Sequence, residues 1–313
     1  MSTAGIVDPM VRSVIGNRAG VAHINYETDP PDQILSVMRR GPSDHHAPPM
    51  SRDCSVMRAD QTPIRIRLYF PKADSSDLPM LMHLHGGGFV RGFIEQDDDR
   101  CSRLAEEANC IIVSVEYRLA PEHPFPAALE DAFDVWKWMT SSSRFGGDPK
   151  RCAVSGSSAG GHMAIGLALL ARQNGAEMPL LQLLTYPVID PTLTSKSYSA
   201  FAEGLPLTKV QMAWFWKQFR GESEPNDVYW APLEADLTGL PPALIITAEY
   251  DVLRDEAEAY AALLRAEGVT ADVERYEQMI HGFITIMPEH HASRAALRSS
   301  AIALRNAFAQ ANA

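Results

Sequence analysis

One serine in the chain has neighbours that would allow it to act as a nucleophile. Ser158 is the centre of the run Gly-Ser-Ser-Ala-Gly at residues 156–160, directly after an apolar, strand-like run and directly before a helix-like run. A serine on a sharp strand-to-helix turn needs nearly side-chain-free residues two positions before and two positions after it, and glycines fill both. Ser157 would instead require glycine at Ser155 and Ala159. The pattern therefore predicts that Ser158 is the nucleophile.

A serine nucleophile also needs a base and a group that orients the base. His281 follows the last predicted strand, at residues 272–276, after a short loop, and Asp251 closely follows the strand predicted at residues 243–248. Because parallel strands end at the same edge of a sheet, both side chains are expected beside the serine turn. We therefore expect His281 to be the base and Asp251 to orient it.

Other histidines and carboxylates fit these two roles less well. His85 lies between a strand and a glycine loop, where a structural hydrogen bond that holds the loop is expected. His162 is four residues after Ser158 on the same helix and is interpreted as structural or pocket-lining. Glu249 is still within its strand, and Asp255 is one turn into the following helix. Four further histidines are expected at the solvated surface: His45, His46, His290 and His291.

A run of three glycines, Gly86, Gly87 and Gly88, follows the strand predicted at residues 80–85. Consecutive glycines leave backbone N–H groups uncovered and able to approach a ligand closely, as an oxyanion hole requires. The alternatives are a flexible turn and a phosphate-binding loop. The phosphate-binding loop is disfavoured, because neither the dinucleotide spacing nor a Gly-Lys-Ser/Thr ending is present.

Short apolar runs alternate with longer amphipathic runs from about residue 53, and this alternation predicts the α/β class, with a mostly parallel sheet covered by helices. Eight strands are predicted, at residues 53–57, 64–70, 80–85, 111–115, 151–155, 180–185, 243–248 and 272–276. The first two are expected to form an antiparallel pair that opens the sheet. Helical spacing occurs at residues 99–108, 127–140, 159–173, 256–267 and 293–309.

Two segments, residues 1–45 and 190–226, interrupt this alternation. They are predicted to form a helical cap over the carboxyl edge of the sheet, so that residues 46–189 and 227–313 make up the catalytic domain. The second segment is dense in aromatic residues, which could serve either core packing or substrate recognition. The candidate pocket residues are Phe89, Trp214 and Phe215.

Composition argues against several classes of partner. The 313 residues include 28 basic and 39 acidic side chains, and the formal charge of −11 disfavours attraction to nucleic acid or to an anionic membrane. No apolar run reaches the roughly 18 residues of a membrane span, and residues 1–20 lack the apolar stretch of a secretory signal. The four cysteines lack metal-ligand spacing and are expected to be free thiols. A cytoplasmic, reducing location is therefore expected.

Together these features resemble the bacterial hormone-sensitive-lipase family of esterases, a branch of the α/β-hydrolases. The chain order of serine, aspartate and histidine is that of the α/β-hydrolases. The resemblance runs from about residue 53 to the C-terminus. Besides the glycine loop, the serine turn and the run His-Gly-Phe at residues 281–283, it rests on Glu-Tyr-Arg-Leu-Ala-Pro-Glu at 116–122, Leu-Pro-Pro-Ala at 240–243 and Asp-Val-Leu-Arg-Asp-Glu at 251–256.

The resemblance implies an α/β-hydrolase fold with a helical cap and assigns roles to particular residues. The implied catalytic residues are Ser158, Asp251 and His281. The implied oxyanion hole consists of the N–H groups of Gly87, Gly88 and Ala159, with His85 and Gly86 supporting the loop. One position departs from the family pattern: the residue before the nucleophile, commonly Asp or Thr, is Ser157. Since that side chain is not a triad member, the departure bears on substrate preference and dimerisation rather than on the core chemistry.

The expected reaction is hydrolysis of short- to medium-chain acyl esters through an acyl-enzyme intermediate. A lactonase, deacetylase or amidase with the same triad is an alternative, and so is a ligand-binding receptor of the same fold without hydrolase activity. Neither a metal nor an organic cofactor is implied, because the nearest histidines and carboxylates already have triad roles. A small-molecule ester is the expected partner, and a homodimer is expected from the family resemblance.

Overall fold

The computed structural model of the protein describes residues 5–17, 24–39, 47–71, 76–222 and 228–311. Within them an eight-stranded sheet has the order β1-β2-β4-β3-β5-β6-β7-β8. The strands are β1 (Ser51–Met57), β2 (Pro63–Tyr69), β3 (Leu78–Leu84), β4 (Ile111–Val115), β5 (Gly147–Ser157), β6 (Gln182–Thr185), β7 (Ala243–Tyr250) and β8 (Ala271–Ile280). Strand β2 pairs antiparallel with both β1 and β4, and all other neighbours pair parallel.

The α/β class, the eight strands and the opening antiparallel pair are confirmed, with differences at the strand ends. Strand β5 begins at Gly147, four residues before the prediction. The prediction missed these residues because they include a glycine and a proline, which are not typical of strands. Strand β8 continues to Ile280, four residues beyond the prediction. Since β8 is an edge strand in which three side chains are exposed and four are half-buried, its apolar pattern is weak.

Helices cover both faces of the sheet, and the five predicted from spacing are confirmed to within two residues at each end. The helices are α1 (Pro9–Asn17), α2 (Pro31–Met38), α3 (Asp98–Ala108), α4 (Ala127–Ser141), α5 (Ala159–Gln173), α6 (Lys196–Ala200), α7 (Lys209–Arg220), α8 (Arg254–Ala266), α9 (Phe283–Ile286) and α10 (His291–Gln310). In the described ranges no helix combines the length and the apolar character needed to cross a membrane.

Alternate residues of the central strand β3 enter two separate apolar layers. Met80, Met82 and Leu84 pack in the layer that holds side chains of α4, α5 and α8, whereas Leu81 packs with α3 and α10. Both faces of the central strands are therefore covered, which explains why these strands are continuous apolar runs in the sequence. Since helices cover both faces of the central strands, the carboxyl edge of the sheet is where polar side chains can lie next to one another.

The N-terminal segment and the insertion after β6 meet at an aromatic contact. The ring of Tyr26 lies edge-on to Trp214 and Phe215 of α7, with ring centroids 5.8 and 6.4 Å apart. Helix α7 starts with a reciprocal capping box between Thr208 and Gln211. The side-chain amide of Gln211 also donates to the Tyr26 hydroxyl at 3.0 Å. The two segments interpreted as a cap are thus joined directly to each other.

His290 is buried, so the prediction of a surface position is wrong. Its Nδ1 accepts a hydrogen bond from the N–H of Ala292 at 3.1 Å, and it thereby caps the N-terminus of α10. Its Nε2 then carries the proton and lies 3.1 Å from Oδ2 of Asp8, which ties the N-terminal helix α1 to the C-terminal helix. His291 is exposed, as predicted. His45 and His46 lie outside the described residues.

Candidate active site

Ser158 stands at a sharp turn between β5 and α5. Its backbone has a φ of 54° and a ψ of −119°, a conformation that is strained for any residue with a side chain. Main-chain hydrogen bonds hold the turn: the Ser158 N–H donates to the carbonyl oxygen of Thr185 at 2.9 Å, and the Ser158 carbonyl oxygen accepts from Gly161 at 2.9 Å. A turn of this kind presents the side chain of its central residue at the edge of the sheet.

Close packing requires glycine on both sides of the turn. A Cβ atom at Gly156 would lie 2.0 Å from the carbonyl oxygen of Gly160, and a Cβ atom at Gly160 would lie 2.0 Å from the carbonyl oxygen of Leu84. Both distances are impossible for real atoms, so β3, β5 and α5 can meet here only without side chains. The neighbouring Ser157 hydroxyl accepts a hydrogen bond from Arg100 of α3. Its partner is thus an arginine and not His281.

A chain of hydrogen bonds links the serine to a buried carboxylate. Nε2 of His281 lies 3.0 Å from Oγ of Ser158, and Nδ1 of His281 lies 2.7 Å from Oδ2 of Asp251. An ionised carboxylate only accepts hydrogen bonds, so the imidazole proton is on Nδ1, and Nε2 is the acceptor that faces the serine hydroxyl. The other carboxylate oxygen of Asp251 accepts from the N–H of Leu253 at 3.0 Å, which fixes its orientation.

The parallel strands explain why these residues meet. Asp251 directly follows β7 and His281 directly follows β8, and the last residues of the two strands, Tyr250 and Ile280, are partners in the sheet. Asp251 is 1% exposed, so its interaction with the histidine is shielded from water. Tyr186, after the end of β6, packs edge-on against the His281 ring at 4.7 Å between centroids.

The two alternative carboxylates are engaged elsewhere. Glu249 accepts from the N–H of Gln278 at 2.7 Å. Asp255 accepts from the N–H of Ser197 at 2.8 Å and from the guanidinium of Arg254. Neither has a hydrogen bond to the imidazole, whereas Asp251 does. The structure therefore brings together the three side chains that the sequence singled out, and leaves the competing carboxylates in contacts with other parts of the chain.

The glycine loop lies directly against the serine. A Cβ atom on Gly86 would be 3.3 Å from Cβ of Ser158, so the two backbones are in close contact. Among the described residues, no acceptor takes the N–H groups of Gly87, Gly88 or Ala159. Ala159 is the first residue of α5, where backbone N–H groups have no partner within the helix. The glycine loop and the start of α5 thus each carry backbone donors without a described acceptor.

His85 anchors this loop from behind. Its ring is fully buried, stacks on Tyr117 with centroids 4.2 Å apart, and donates from Nδ1 to the carbonyl oxygen of Gly86 at 2.9 Å. Burial lowers the pKa of His85 to about 4, so the ring is neutral near pH 7. The Tyr117 hydroxyl donates to the His85 carbonyl oxygen at 2.6 Å. The start of the glycine loop is thus attached to a stacked pair of buried rings.

The aromatic candidates occupy different places around the loop. Phe215 of α7 packs on Gly88, and Trp214 packs with Tyr26 and Phe215. Phe89 is 1% exposed and stacks on Phe219 at 3.9 Å between centroids. His162 is buried in that same aromatic group, and burial lowers its pKa to about 4. Of the three pocket candidates, Phe215 is the one seated on the glycine loop.

Arg100 is a buried charged residue next to the serine turn that sequence reasoning missed. It is 6% exposed and donates to the hydroxyls of Ser157 and Thr185, directly behind the serine turn. No local signal could have identified it, since its helix begins with an acidic run that is typical of a solvent-exposed first turn. In the described part of the chain, no group of three or more His, Cys, Asp or Glu residues is arranged to hold a metal ion.

Comparisons with known proteins identify the family and the fold of the chain. A family model described as the alpha/beta hydrolase fold matches residues 81–285. The chain is 39% identical to the carboxylic ester hydrolase LipN of Mycobacterium tuberculosis over 77% of this chain and 66% of that protein. It is 35% identical to the ethyl acetate hydrolase of Pseudomonas putida over 74% of this chain and 75% of that protein. The solved structure of a hyperthermophilic esterase from the archaeon Pyrobaculum calidifontis superposes with a TM-score of 0.83 at 38% identity, covering 96% of this chain and 98% of that one.

Proposed function

The chain is a carboxylic ester hydrolase of the α/β-hydrolase family, in its bacterial hormone-sensitive-lipase branch, and from that premise we propose that Ser158, His281 and Asp251 form its catalytic triad. The observation that carries the proposal is the continuous hydrogen-bond chain from the Ser158 hydroxyl through His281 to the buried Asp251, with distances of 3.0 and 2.7 Å. Nucleophile, base and orienting carboxylate are all within hydrogen-bond reach.

The reaction runs in two steps. In the first, Nε2 of His281 takes the Ser158 proton as the serine oxygen attacks the ester carbonyl carbon, and the imidazolium then protonates the departing alcohol. This leaves an acyl group on Ser158. In the second, His281 deprotonates a water molecule that attacks the acyl carbon, and the carboxylic acid leaves as the serine regains its proton. Asp251 stays ionised throughout and stabilises the imidazolium.

The oxyanion of each tetrahedral intermediate is bound by the N–H groups of Gly87, Gly88 and Ala159 in this proposal. Support comes from the lack of described acceptors for these donors, from the close approach of Gly86 to Ser158, and from the place of Ala159 directly after the serine. The N-terminus of α5, at Ala159, adds the positive end of a helix dipole where the negative charge develops. His85 serves as the support of the loop rather than as a base, because its buried ring already holds the Gly86 carbonyl.

Short- to medium-chain acyl esters are the substrates we propose. Phe215 lies on Gly88, and Tyr26 closes against Phe215 and Trp214, so the space beside the glycine loop is bounded by large aromatic rings. One relative is named for hydrolysis of ethyl acetate, an ester with a two-carbon acyl group. A rate profile over acyl lengths, with a lactone and an acetylated sugar included, tests this proposal: a maximum at long acyl chains or on the lactone would contradict it.

The triad assignment is tested by covalent labelling. The wild-type protein should react with a fluorophosphonate at Ser158, identified by mass spectrometry of the modified peptide. Ser158→Ala should lose both labelling and ester hydrolysis, whereas in the neighbouring variant Ser157→Ala the label should still be found on Ser158, even if it is attached more slowly because a hydrogen bond from Arg100 is lost. Retention of substantial hydrolysis by Ser158→Ala, or labelling at another serine, would overturn the assignment. The absence of any labelling in the wild-type protein would favour the receptor alternative.

The proposal extends to the cap, the oligomeric state and the cellular location of the protein. Residues 1–45 and 190–226 act as the cap, and the contact of Tyr26 with α7 supports this division. A homodimer is proposed and is tested by light scattering coupled to size-exclusion chromatography. A cytoplasmic location is proposed because all four cysteines are free thiols, and fractionation of cells that express the protein tests it.

A further inference from the structure

A buried arginine stands directly behind the serine turn. Arg100 lies in the first turn of α3 and is 6% exposed. Burying a guanidinium is costly, and an apolar side chain of similar size would fill the same space without that cost. A charged group in such a position is therefore explained better by the geometry it imposes on its neighbours than by the stability it provides.

The contacts of Arg100 are to the two strand ends that carry the site. Nη1 donates to the hydroxyl of Ser157, the last residue of β5, and Nη2 donates at 2.8 Å to the hydroxyl of Thr185, the last residue of β6. Ser157 and Thr185 are partners in the sheet. The planar guanidinium thus binds both members of one pair with a fixed fork of donors, which sets the spacing and the rotation of the two strand ends.

The residue after each of these strand ends belongs to the site or contacts it. Ser157 precedes Ser158, and the Ser158 N–H donates to the carbonyl oxygen of Thr185 at 2.9 Å. Thr185 precedes Tyr186, whose ring packs against His281 with centroids 4.7 Å apart. A shift of either strand end would therefore move the serine hydroxyl or the imidazole. The serine and the imidazole are the two groups whose separation, 3.0 Å, decides proton transfer.

Arg100 forms no direct ion pair with a described carboxylate. Among the described residues no carboxylate lies within 4.0 Å of its guanidinium, and the nearby buried Asp97 is bonded to His83 at 3.2 Å instead. Burial acts to raise the pKa of Asp97, but the hydrogen bond from His83 and the nearby charge of Arg100 act in the opposite direction, and the pKa lies below its ordinary value. The hydroxyls of Ser157 and Thr185 are therefore the acceptors that fix the orientation of the guanidinium.

We infer that Arg100 is a positioning residue for ester hydrolysis, which clamps the ends of β5 and β6 through Ser157 and Thr185 and so holds Ser158 in register with His281. The inference rests on the proposed roles of Ser158 and His281. It assigns no contact with the substrate to Arg100. The expected signature is therefore a loss in kcat with little change in KM, because substrate binding is untouched while the reacting atoms are misplaced.

The test compares two arginines of the same helix. Arg100→Met should lower kcat, and the rate of fluorophosphonate labelling of Ser158, by about 100-fold, as expected for a misplacement on the order of 1 Å, with KM changed less than about threefold. Arg103→Met is the matched control, because Arg103 is partly exposed and pairs with Asp99 and Glu289 on the surface. The control variant should keep the wild-type kcat.

Chemical rescue separates positioning from a general structural role. A cavity of about 20 Å³, large enough for a water molecule, is lined in part by Arg100, Arg103 and Arg294. Truncation in Arg100→Ala would enlarge this space. Added guanidinium at a concentration far below denaturation should then restore part of the kcat of Arg100→Ala, while equal concentrations of sodium chloride or urea should not.

Several outcomes would overturn the inference. One is an unchanged kcat in Arg100→Met, and another is a raised KM with an unchanged kcat in that variant. The third is a lowered kcat in Arg100→Ala that added guanidinium does not restore. If the Arg100 variants do not fold, the double variant Ser157→Ala/Thr185→Val replaces them, and a wild-type kcat in that protein would equally refute the clamp. A failure of the triad proposal is distinguishable, since it would show as an active Ser158→Ala protein or an unlabelled wild-type protein, whatever the Arg100 variants do.

Discussion

The ring of Phe215 rests on Gly88 so closely that a Cβ atom on Gly88 would lie 2.5 Å from Cδ2 of the ring. Gly88 also has a φ of 61°, where a side chain adds backbone strain. Gly88→Ala is therefore expected to displace the glycine loop and to lower kcat by roughly 100- to 1000-fold, the typical cost of losing an oxyanion donor. Steady-state hydrolysis of p-nitrophenyl acetate measures the effect.

Two further variants show whether the Phe215 contact is the cause. Gly175→Ala shares a positive φ, 60°, but has no atom within 4 Å of the added Cβ, so it should keep full activity. Gly88→Ala combined with Phe215→Ala removes the clash and should recover part of the lost kcat. Equal losses in the single and the double variant would show that the ring is not responsible.

The choice of carboxylate is tested by an isosteric pair of variants. In Asp251→Asn the neutral amide no longer favours the proton on Nδ1 of His281, and kcat should fall by about 10⁴-fold, as in other serine triads. Asp255→Asn should retain most of the activity, because Asp255 binds Ser197 and Arg254 rather than the imidazole. A harmless Asp251→Asn together with a damaging Asp255→Asn would reverse the assignment.

The buried His162 makes stability depend on pH. Burial lowers its folded-state pKa to about 4, whereas in the unfolded chain it has its ordinary value near 6.5, so the unfolded chain binds more protons between these two values. The stabilisation is present above about pH 6.5 and is lost as pH falls toward 4, by up to about 3 kcal/mol. Denaturant unfolding at neutral pH and near pH 4 measures the loss.

Substitution identifies the contribution of this histidine. His162→Gln does not titrate, so its free energy of unfolding should fall less between neutral pH and pH 4 than that of the wild-type protein. His123→Gln serves as the control, because His123 is exposed at the surface. A wild-type pH dependence in His162→Gln would show that other groups account for acid sensitivity.

Arg39 attaches the N-terminal segment to the region around the glycine loop. It donates to the carbonyl oxygens of Val90 at 2.7 Å and Ala120 at 2.8 Å, and it pairs bidentately with Glu122. Arg39→Met should lower the free energy of unfolding by about 2 kcal/mol, since two part-buried acceptors lose a charged donor. It should also lower kcat, because Val90 lies two residues beyond Gly88.

The exposed partner of Arg39 provides the comparison. Glu122→Gln removes only the half-exposed ion pair and should cost less than about 1 kcal/mol of unfolding free energy, with kcat unchanged. Urea denaturation and steady-state kinetics on both variants give the two quantities. If Glu122→Gln proved as harmful as Arg39→Met, the ion pair and not the contact with the loop would be the important interaction.

Features set by local chemistry could be predicted from the sequence. The strands follow from apolar periodicity, and the serine turn follows from two glycines whose absence of side chains the backbone contacts demand. The positions of Asp251 and His281 beside the serine turn could be predicted because parallel strands end at one edge. Strand ends were less predictable where glycine, proline or an exposed edge weakens the pattern, as at the start of β5 and the end of β8.

Features set by contacts between distant segments could not be predicted. Arg100 meets Ser157 and Thr185 across 57 and 85 residues of chain, and nothing near it in the sequence distinguishes it from a surface arginine. His290 caps a helix although histidine is not among the preferred capping residues, so its burial left no recognisable signal. The contact of Tyr26 with α7 likewise exists only once the two segments have folded together.

The backbone conformation of Ser158 lowers the stability of the fold at the residue that we propose as the nucleophile. Its φ of 54° and ψ of −119° suit glycine, and a side chain there costs on the order of 1–3 kcal/mol. Ser158→Gly should therefore be inactive yet harder to unfold than Ser158→Ala, by about 1 kcal/mol after the greater entropy of glycine in the unfolded chain is deducted. The native chain thus tolerates a permanently strained residue at the position that selection for folding alone would have given to glycine.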